Sequence, residues 1–313
     1  MAGYDVVQID TVGAAADAAL AERRKVLNLI GAPIPADLTA LAPDAKVLVT
    51  TVRRGVTREL MAALPALKAV CSWGVGFDTL DVGAAREMGI GVSYTPGVLD
   101  DCVADLAFAL LLGTARRLAE ADRYVRSGSW CRSGAFPETV KVSGKRLGIL
   151  GMGRIGEAIA RRGAGFDMPI GYHNRRPKAD APGIYFDDLA GLATWADVLV
   201  VACPGGPATY RLVNAAVLEA LGPRGILVNI ARGSVVDQAA LVAALQAGTL
   251  GGAGLDVFEE EPSAPAALVA MDQVVLTPHY GSCTQETRRA MGDLVVANAE
   301  AVLDGGALLT PIP

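Results

Sequence analysis

Short β-branched runs alternate with longer alanine-rich stretches along this chain. Four apolar runs in the first third have the length and composition of buried strands: DVVQID (residues 5–10), KVLVT (46–50), AVCSW (69–73) and GVSYT (91–95). Between them, segments such as residues 57–64 repeat their apolar positions at helical spacing. This alternation is typical of doubly wound parallel sheets, so we predict an α/β fold.

The same pattern starts again near the middle of the chain. Six further apolar runs end in small or polar residues: KRLGIL (145–150), PIGYHN (169–174), DVLVVACP (197–204), GILVNIA (225–231), GAGLDV (252–257) and QVVLTPH (273–279). Before them, Pro96 and Gly97 precede a long stretch with helical spacing, which predicts one uninterrupted helix capped by Asp100 or Asp101. We therefore predict two doubly wound domains with a crossing near residue 97.

The two domains are expected to be nested in the sequence. Residues 98–283 contain the second series of strands, and a last helix at residues 284–303 can return the chain to the first domain. A larger domain is thus inserted into a smaller one that consists of residues 1–97 and 284–313. Residues 127–144 follow neither period, so we expect an irregular excursion that packs on another surface.

Composition narrows the functional classes. Hydrophobic residues make up 52% of the 313 residues and charged residues 19%, which favours a folded chain over a disordered one. The most apolar stretch, residues 103–115, contains Asp105 and is too short to cross a bilayer. The net charge of −5 offers no attraction to a phosphate backbone. We therefore expect neither a membrane nor a nucleic acid as a partner.

The amino-terminal residues and the cysteines indicate the compartment. The sequence MAGYDVVQID lacks the basic segment and apolar run of a signal peptide. The five cysteines are odd in number and lack C-x-x-C spacing, which disfavours both a disulfide framework and a zinc site. A cytoplasmic protein without a bound metal is the expectation.

The sharpest local signal is the glycine motif Gly151-Met152-Gly153-Arg154-Ile155-Gly156, which lies between the strand RLGIL and a helical pattern. Gly151 permits a tight turn, Gly153 lets the backbone approach a pyrophosphate, and Gly156 lets helix and strand pack closely. The N–H groups of the first helical turn can then bind the anion. A glycine-rich turn without a ligand is the alternative, but the flanking elements favour a dinucleotide-binding Rossmann domain at residues 98–283.

The end of the second strand of this domain indicates which dinucleotide binds. NAD sites usually place Asp or Glu about 20 residues after the glycine motif, where the carboxylate binds the adenosine ribose. Here the strand ends in Asn174, Arg175 and Arg176, without a carboxylate. Arginine offers a fork of donors that matches phosphate oxygens, so these residues favour NADP over NAD. A solvated turn is the alternative.

Three polar residues follow late strands in otherwise apolar surroundings: Arg232 in NIARGSVVD, Glu261 in LDVFEEEP and His279 in LTPHYGS. The chain has only two histidines, and His173 lies beside the predicted phosphate turn, where we assign it no chemistry. Taken alone, a histidine such as His279 is more often structural than catalytic.

The ordered set GMGRIG, NIARGSVVD, GLDVFEEEP and LTPHYGS resembles the D-2-hydroxyacid dehydrogenase family. Further stretches, including SWGVGFDTLDV, LVVACP and LLTPIP, look like those of its NADPH-dependent glyoxylate, hydroxypyruvate and hydroxyphenylpyruvate reductases. The likeness covers most of the chain from Leu48 onwards. It implies a flavodoxin-like substrate-binding domain at residues 1–97 and 284–313, and a homodimer that pairs through a segment like residues 124–144. It also implies reduction of glyoxylate or hydroxypyruvate with NADPH.

The resemblance implies roles for individual residues as well. His279 is expected to donate a proton to the keto oxygen, Glu261 to pair with the other ring nitrogen, and Arg232 to hold the substrate carboxylate or carbonyl. The backbone N–H groups of Val75 and Gly76 are expected to bind the substrate carboxylate. The remaining expected cofactor contacts are Cys203, Pro204, Thr209, Ile230, Ala231, Asp256 and Gly281.

Some positions leave the substrate open. Tyr280 stands where the family commonly has a small aliphatic residue, and Cys283 where Gly or Ala is frequent. Arg53 is expected to read the group beyond the keto acid, while it, Arg54 and Trp73 are equally read as surface charge and core packing. Of the three consecutive glutamates, only Glu261 precedes a proline as in the family motif, which leaves Glu259 and Glu260 as a solvated acidic turn.

Three alternative functions stay open from the sequence. An aromatic 2-oxo acid such as hydroxyphenylpyruvate is the closest alternative substrate. Some relatives with this fold act mainly as dinucleotide-sensing partners in transcriptional regulation, and others oxidise phosphite or formate. Activity with NADPH and 2-oxo acids separates the reductase from both.

Overall fold

The computed structural model describes residues 3–313. It divides into two compact units. The second unit is Asp100–Gly281, and the first unit contains the chain up to Leu99 and from Ser282 onwards. The predicted boundaries, between residues 97 and 98 and between 283 and 284, lie close to these positions.

The first unit contains a parallel sheet of five strands in the order β2-β1-β3-β4-β5. This is the strand order of a flavodoxin-like fold, as predicted. Its strands are β1 (Val6–Gln8), β2 (Val26–Asn28), β3 (Val47–Thr51), β4 (Ala69–Trp73) and β5 (Gly91–Ser93). Its helices are α1 (Ala14–Arg23), α2 (Leu38–Leu41), α3 (Arg58–Ala62), α4 (Val82–Glu87) and α13 (Gln285–Leu303).

Alternation along β3 explains how both faces of this sheet are covered. Val47 and Val49 pack into a cluster with residues of α1 and α13, whereas Leu48 packs into a cluster with residues of α2, α3 and α4. Helix α13 begins after Thr284, whose side chain accepts a hydrogen bond from the Thr287 N–H group. The start and end of α13 therefore follow the predicted helix at residues 284–303.

The second unit contains a parallel sheet of seven strands in the order β12-β11-β10-β9-β6-β7-β8. Its strands are β6 (Leu147–Leu150), β7 (Ile170–His173), β8 (Ile184–Phe186), β9 (Val198–Val201), β10 (Ile226–Asn229), β11 (Gly252–Leu255) and β12 (Val274–Leu276). Its helices are α5 (Asp100–Ala115), α6 (Leu118–Arg126), α7 (Ser129–Ser133), α8 (Arg154–Ala164), α9 (Leu189–Trp195), α10 (Ala215–Leu221), α11 (Gln238–Gln246) and α12 (Ala266–Val269). The strand order reverses between β6 and β9, as in a Rossmann fold.

Small residues let α5 lie directly on this sheet. An ideal Cβ on Gly254 would stand 2.8 Å from the Leu110 Cβ, and one on Gly252 would stand 2.8 Å from the Thr114 Cγ2. The glycines of β11 thus make room for the apolar face of α5. Helices α9, α10 and α11 supply the apolar cluster on the opposite face.

The structure corrects three details of the sequence analysis. The predicted uninterrupted helix breaks between α5 and α6 at Arg117, which has a left-handed φ of 48° and donates to the Glu120 carboxylate. The excursion at residues 127–144 contains the short helix α7. Strands β2 and β8 are additional edge strands. No helix within residues 3–313 has the length and apolar character needed to cross a membrane.

Candidate active site

The glycine motif lies where the strand order of the second unit reverses. Gly151 follows β6 with a φ of +104°, a conformation that glycine adopts without strain. An ideal Cβ on Gly151 would lie 2.5 Å from the backbone nitrogen of Cys203, which follows β9. The two loops therefore touch through their backbones, and glycine is needed here for both conformation and space.

The rest of the motif forms a cradle of the kind that binds a pyrophosphate. An ideal Cβ on Gly156 would lie 2.3 Å from the Gly151 carbonyl oxygen, so the helix starts directly against the turn. By contrast, no heavy atom of residues 3–313 lies within 4 Å of an ideal Cβ on Gly153. No side chain caps the start of α8 at Arg154 and Ile155. The open space beside these N–H groups fits an anion.

Asn174 and the two arginines after it play different parts in the structure. The Asn174 Oδ1 atom accepts a hydrogen bond of 2.8 Å from the Met152 N–H group, so this side chain joins the end of β7 to the glycine turn. Arg175 and Arg176 are exposed, and neither forms an ion pair with any residue in the described part of the chain. Their recognition of a 2′-phosphate stays a prediction.

The residues expected beside the cofactor lie in two loops of the second unit. The Thr209 Oγ1 atom donates a hydrogen bond of 2.7 Å to the Pro204 carbonyl oxygen, which closes the loop after β9. Burial raises the pKa of the Cys203 thiol to about 11, so this cysteine is a neutral, structural side chain. Ile230 and Ala231 follow β10 and are buried. Their cofactor contacts stay predictions.

His279 and Glu261 form a close pair. The His279 Nδ1 atom lies 2.6 Å from the Glu261 Oε2 atom, and the Phe258 N–H group donates to the other carboxylate oxygen. Burial raises the pKa of Glu261, but the hydrogen bond with His279 and the charges of His279 and Arg232 outweigh it, so the pKa lies below its usual value. An ionised Glu261 accepts a proton from Nδ1 and leaves Nε2 to act on a substrate.

Arg232 is held at the carboxyl end of β10. Its Nη1 atom donates a hydrogen bond of 2.7 Å to the Ala231 carbonyl oxygen, and the Asn229 side chain donates to the Arg232 carbonyl oxygen. An ideal Cβ on Gly205 would lie 2.7 Å from the Arg232 Cγ, so this glycine makes room for the side chain. The guanidinium is therefore oriented by the local backbone.

Asp256 holds the loop that carries His279. Its buried carboxylate accepts hydrogen bonds from the Thr277 hydroxyl at 2.6 Å and from the N–H groups of Tyr280 and Gly281 at 3.0 Å. The His279 N–H group donates to the Asp256 carbonyl oxygen at 2.8 Å. Asp256 thus positions the histidine, a role that the sequence analysis missed because no local pattern marks it. Its expected contact with the cofactor carboxamide stays a prediction.

The expected substrate-binding residues lie in the first unit, in loops after β3 and β4. Gly74 has a φ of +137° and precedes Val75 and Gly76. Arg53 is exposed, whereas the neighbouring Arg54 donates to the Ala32 carbonyl oxygen. The roles of Val75, Gly76 and Arg53 stay predictions from the resemblance.

Comparison with known proteins decides the family. The model of the D-isomer specific 2-hydroxyacid dehydrogenase NAD-binding domain matches residues 108–281. The chain belongs to the D-isomer specific 2-hydroxyacid dehydrogenase family. This 2-hydroxyacid dehydrogenase is 48% identical over 294 residues to the hydroxyphenylpyruvate reductase of Plectranthus scutellarioides, with 94% of each chain covered. It is 50% identical over 258 residues to the glyoxylate/hydroxypyruvate reductase A of Arabidopsis thaliana, with 82% of each chain covered.

A solved structure shares the fold of this dehydrogenase over almost its whole length. The NADPH-dependent glyoxylate/hydroxypyruvate reductase of Sinorhizobium meliloti, crystallised with NADP and malonate, superposes with a TM-score of 0.92 at 42% identity. The match covers 98% of this chain and 96% of that chain. The predicted family and α/β fold class are confirmed, and the protein is an enzyme of the 2-hydroxyacid dehydrogenase class.

The structure also corrects the interpretation of Glu259 as part of a solvated turn. Its side chain is 21% exposed and its Oε1 atom accepts a hydrogen bond of 3.2 Å from the Arg211 Nε atom. The sequence carries no signal for this pair because the two residues lie in separate loops. Glu260 is exposed, in agreement with the solvated turn.

Proposed function

We propose that this protein reduces small 2-oxo acids, with glyoxylate or hydroxypyruvate as the preferred substrates, to D-2-hydroxy acids with NADPH. The observation that carries the proposal is the His279–Glu261 pair at 2.6 Å, in the same unit as Arg232 and the glycine cradle. The names of the relatives from Arabidopsis thaliana and Sinorhizobium meliloti support this substrate class and NADPH.

The proposed chemistry follows from the charge that develops on the substrate. When bound, the nicotinamide supplies a hydride to the keto carbon, so negative charge grows on the keto oxygen. His279 would protonate this oxygen from Nε2, because Nδ1 is engaged with the Glu261 carboxylate. The carboxylate fixes the ring and stabilises its positive charge before the transfer.

Arg232 would hold the same substrate group and stabilise its charge. A guanidinium presents directed N–H donors that align a carboxylate or carbonyl, which lowers the entropic cost of reaching the reactive geometry. The predicted contribution of Val75 and Gly76 is a pair of backbone donors for the carboxylate. Arg53 is predicted to bind the group beyond the keto acid.

A preference for NADPH is expected to depend on Arg175 and Arg176. Changing both to glutamine should raise KM for NADPH by about 10- to 100-fold, because charged hydrogen bonds to the 2′-phosphate are lost. KM for NADH should stay nearly constant, since NADH lacks this phosphate. Steady-state kinetics with both cofactors measures the difference. The matched control replaces Lys141 and Arg224, two exposed cations elsewhere in the second unit, and should change neither KM. Equal effects on both cofactors would remove the two arginines from this role.

A substrate panel tests the proposed function. Purified protein with NADPH should lose nicotinamide absorbance on addition of glyoxylate or hydroxypyruvate. Higher kcat/KM with hydroxyphenylpyruvate would favour the aromatic alternative, which the 48% identity to the Plectranthus scutellarioides enzyme makes the second candidate. No activity with any 2-oxo acid would overturn the reductase and favour a dinucleotide sensor, or a phosphite or formate dehydrogenase.

A homodimer is the proposed assembly. Large apolar side chains are exposed on α6, on α7 and in the segment that follows: Leu118, Val125, Trp130 and Val140. Phe136 differs from them, because it packs edge to face on Tyr124 at 5.4 Å. Exposed apolar side chains grouped in one region are typical of a protein interface. All five cysteines are free thiols, which supports a reducing compartment such as the cytoplasm.

The proposed interface predicts that Trp130→Glu converts the dimer to a monomer. Trp130 is 61% exposed, and an aromatic anchor replaced by a charge should raise the dimer dissociation constant by about 100-fold or more. Sedimentation velocity over a concentration series measures this constant. Val269→Glu is the matched control, since Val269 is 64% exposed outside this segment. If Trp130→Glu sediments as the wild type does, the interface lies elsewhere.

A further inference from the structure

The turn that carries Arg232 lies directly against the turn that carries Glu261. Arg232 precedes the 3₁₀ turn Gly233–Val235, and the second turn runs from Phe258 to Glu261. An ideal Cβ on Gly233 would stand 1.9 Å from the carbonyl carbon of Phe258 and 2.4 Å from the backbone nitrogen of Glu259. Only a residue without a side chain permits this contact. The relative position of Arg232 and Glu261 therefore depends on what holds the two turns together.

Arg211 bonds to both turns. Its N–H group donates a hydrogen bond of 2.8 Å to the Ser234 carbonyl oxygen, in the Arg232 turn. Its Nε atom donates a hydrogen bond of 3.2 Å to the Glu259 Oε1 atom, in the Glu261 turn. The guanidinium also lies 5.3 Å from the centre of the Tyr210 ring. Arg211 is thus tethered through its backbone to one turn and through its side chain to the other.

Two further features show that this arrangement is specific. Arg211 has a left-handed φ of 49°, which is uncommon for a residue other than glycine and persists where surrounding contacts fix the backbone. The Glu259 N–H group donates to the Gln238 Oε1 atom at 3.4 Å, so Glu259 is held from both its backbone and its side chain. The Arg211–Glu259 ion pair is 43% and 21% exposed, and such pairs add little to overall stability. Its main consequence is orientation.

We propose that Arg211 is a positioning residue for the reductase reaction, acting through Glu259 on the Glu261 turn. The Glu261 carboxylate fixes the His279 ring at 2.6 Å, so a displaced turn would turn the ring away from the substrate group that Arg232 holds. Small losses of alignment between reacting groups lower the rate strongly. This inference rests on the proposed catalytic roles of Arg232, Glu261 and His279.

Kinetics of four variants tests the proposal. Arg211→Gln and Glu259→Gln should each lower kcat for glyoxylate reduction by about tenfold, with KM for NADPH nearly unchanged. The double variant should be no slower than either single variant, because both remove the same interaction. Arg211→Lys keeps the charge and should recover part of kcat. A rise in KM for NADPH that equals the loss of kcat, or additive losses in the double variant, would overturn the positioning role.

A spectroscopic readout separates this proposal from the proposed function. The chain has two histidines, so a ¹H–¹³C correlation spectrum contains two Cε1 signals. Arg211→Gln should shift or broaden the His279 signal and leave the His173 signal in place. Arg146→Gln is the matched control, since the Arg146–Asp197 pair has a similar exposure of 44% and 30% and lies before β6. It should change neither signal nor kcat. An unchanged His279 signal in Arg211→Gln would overturn the proposal even if the protein reduced no 2-oxo acid.

Discussion

His279→Asn lowers kcat for hydroxypyruvate reduction by about 10²- to 10⁴-fold, the contribution of a positioned general acid. Asparagine suits this test because His279 has a φ of 51°, and asparagine tolerates the left-handed conformation better than most residues. The backbone bond to Asp256 can therefore remain, while the neutral amide has no proton to release. KM for NADPH should change little, since the loss falls on the chemical step.

The control for this variant is the other histidine. His173 ends β7, and its Nδ1 atom lies 2.9 Å from the Phe186 carbonyl oxygen, so its role is structural. His173→Asn should keep kcat close to the wild-type value, even if it lowers the unfolding temperature. Steady-state kinetics and thermal unfolding of both variants provide the comparison. Wild-type kcat in His279→Asn would remove this residue from catalysis.

Arg232→Gln lowers kcat/KM for the 2-oxo acid by about 10²- to 10³-fold, as expected when a donor to the developing negative charge is removed. Glutamine keeps much of the side-chain length beside Gly205 but loses the charge and the fork of N–H groups. Arg232→Lys should recover only part of the activity, because the ammonium keeps the charge without the directed pair of donors.

A second arginine beside the same strand provides the control for Arg232. Arg224 precedes β10 and is exposed, whereas Arg232 follows β10 at the opposite end. Arg224→Gln should keep kcat/KM near the wild-type value. Full activity of Arg232→Lys would show that charge alone is sufficient, and full activity of Arg232→Gln would exclude Arg232 from substrate binding.

The sequence predicted the strands that bear the candidate site because these strands are buried and strongly patterned. In parallel sheets the residues that follow the strands gather at one edge, so motifs far apart in sequence could be assigned to one region. Edge strands β2 and β8 were missed because each has three residues and is only partly buried. The break at Arg117 was missed because its sequence contains neither glycine nor proline.

Contacts between loops were the least predictable part of the site. The bonds from Asp256 to Thr277, Tyr280 and Gly281, and from Arg211 to Glu259, join residues without any shared periodicity. They depend on how the strands align, which the residue pattern alone does not encode. Asn174 illustrates the same point, since its amide binds the glycine turn and not an expected ligand group.

The most direct test of the central claim follows the hydride itself. Hydroxypyruvate should be reduced with NADPH that carries deuterium at both positions of nicotinamide C4, and the product analysed by chiral chromatography with mass detection. The account predicts D-glycerate with one deuterium at C2. Formation of L-glycerate, a product without deuterium, or no glycerate at all would contradict it.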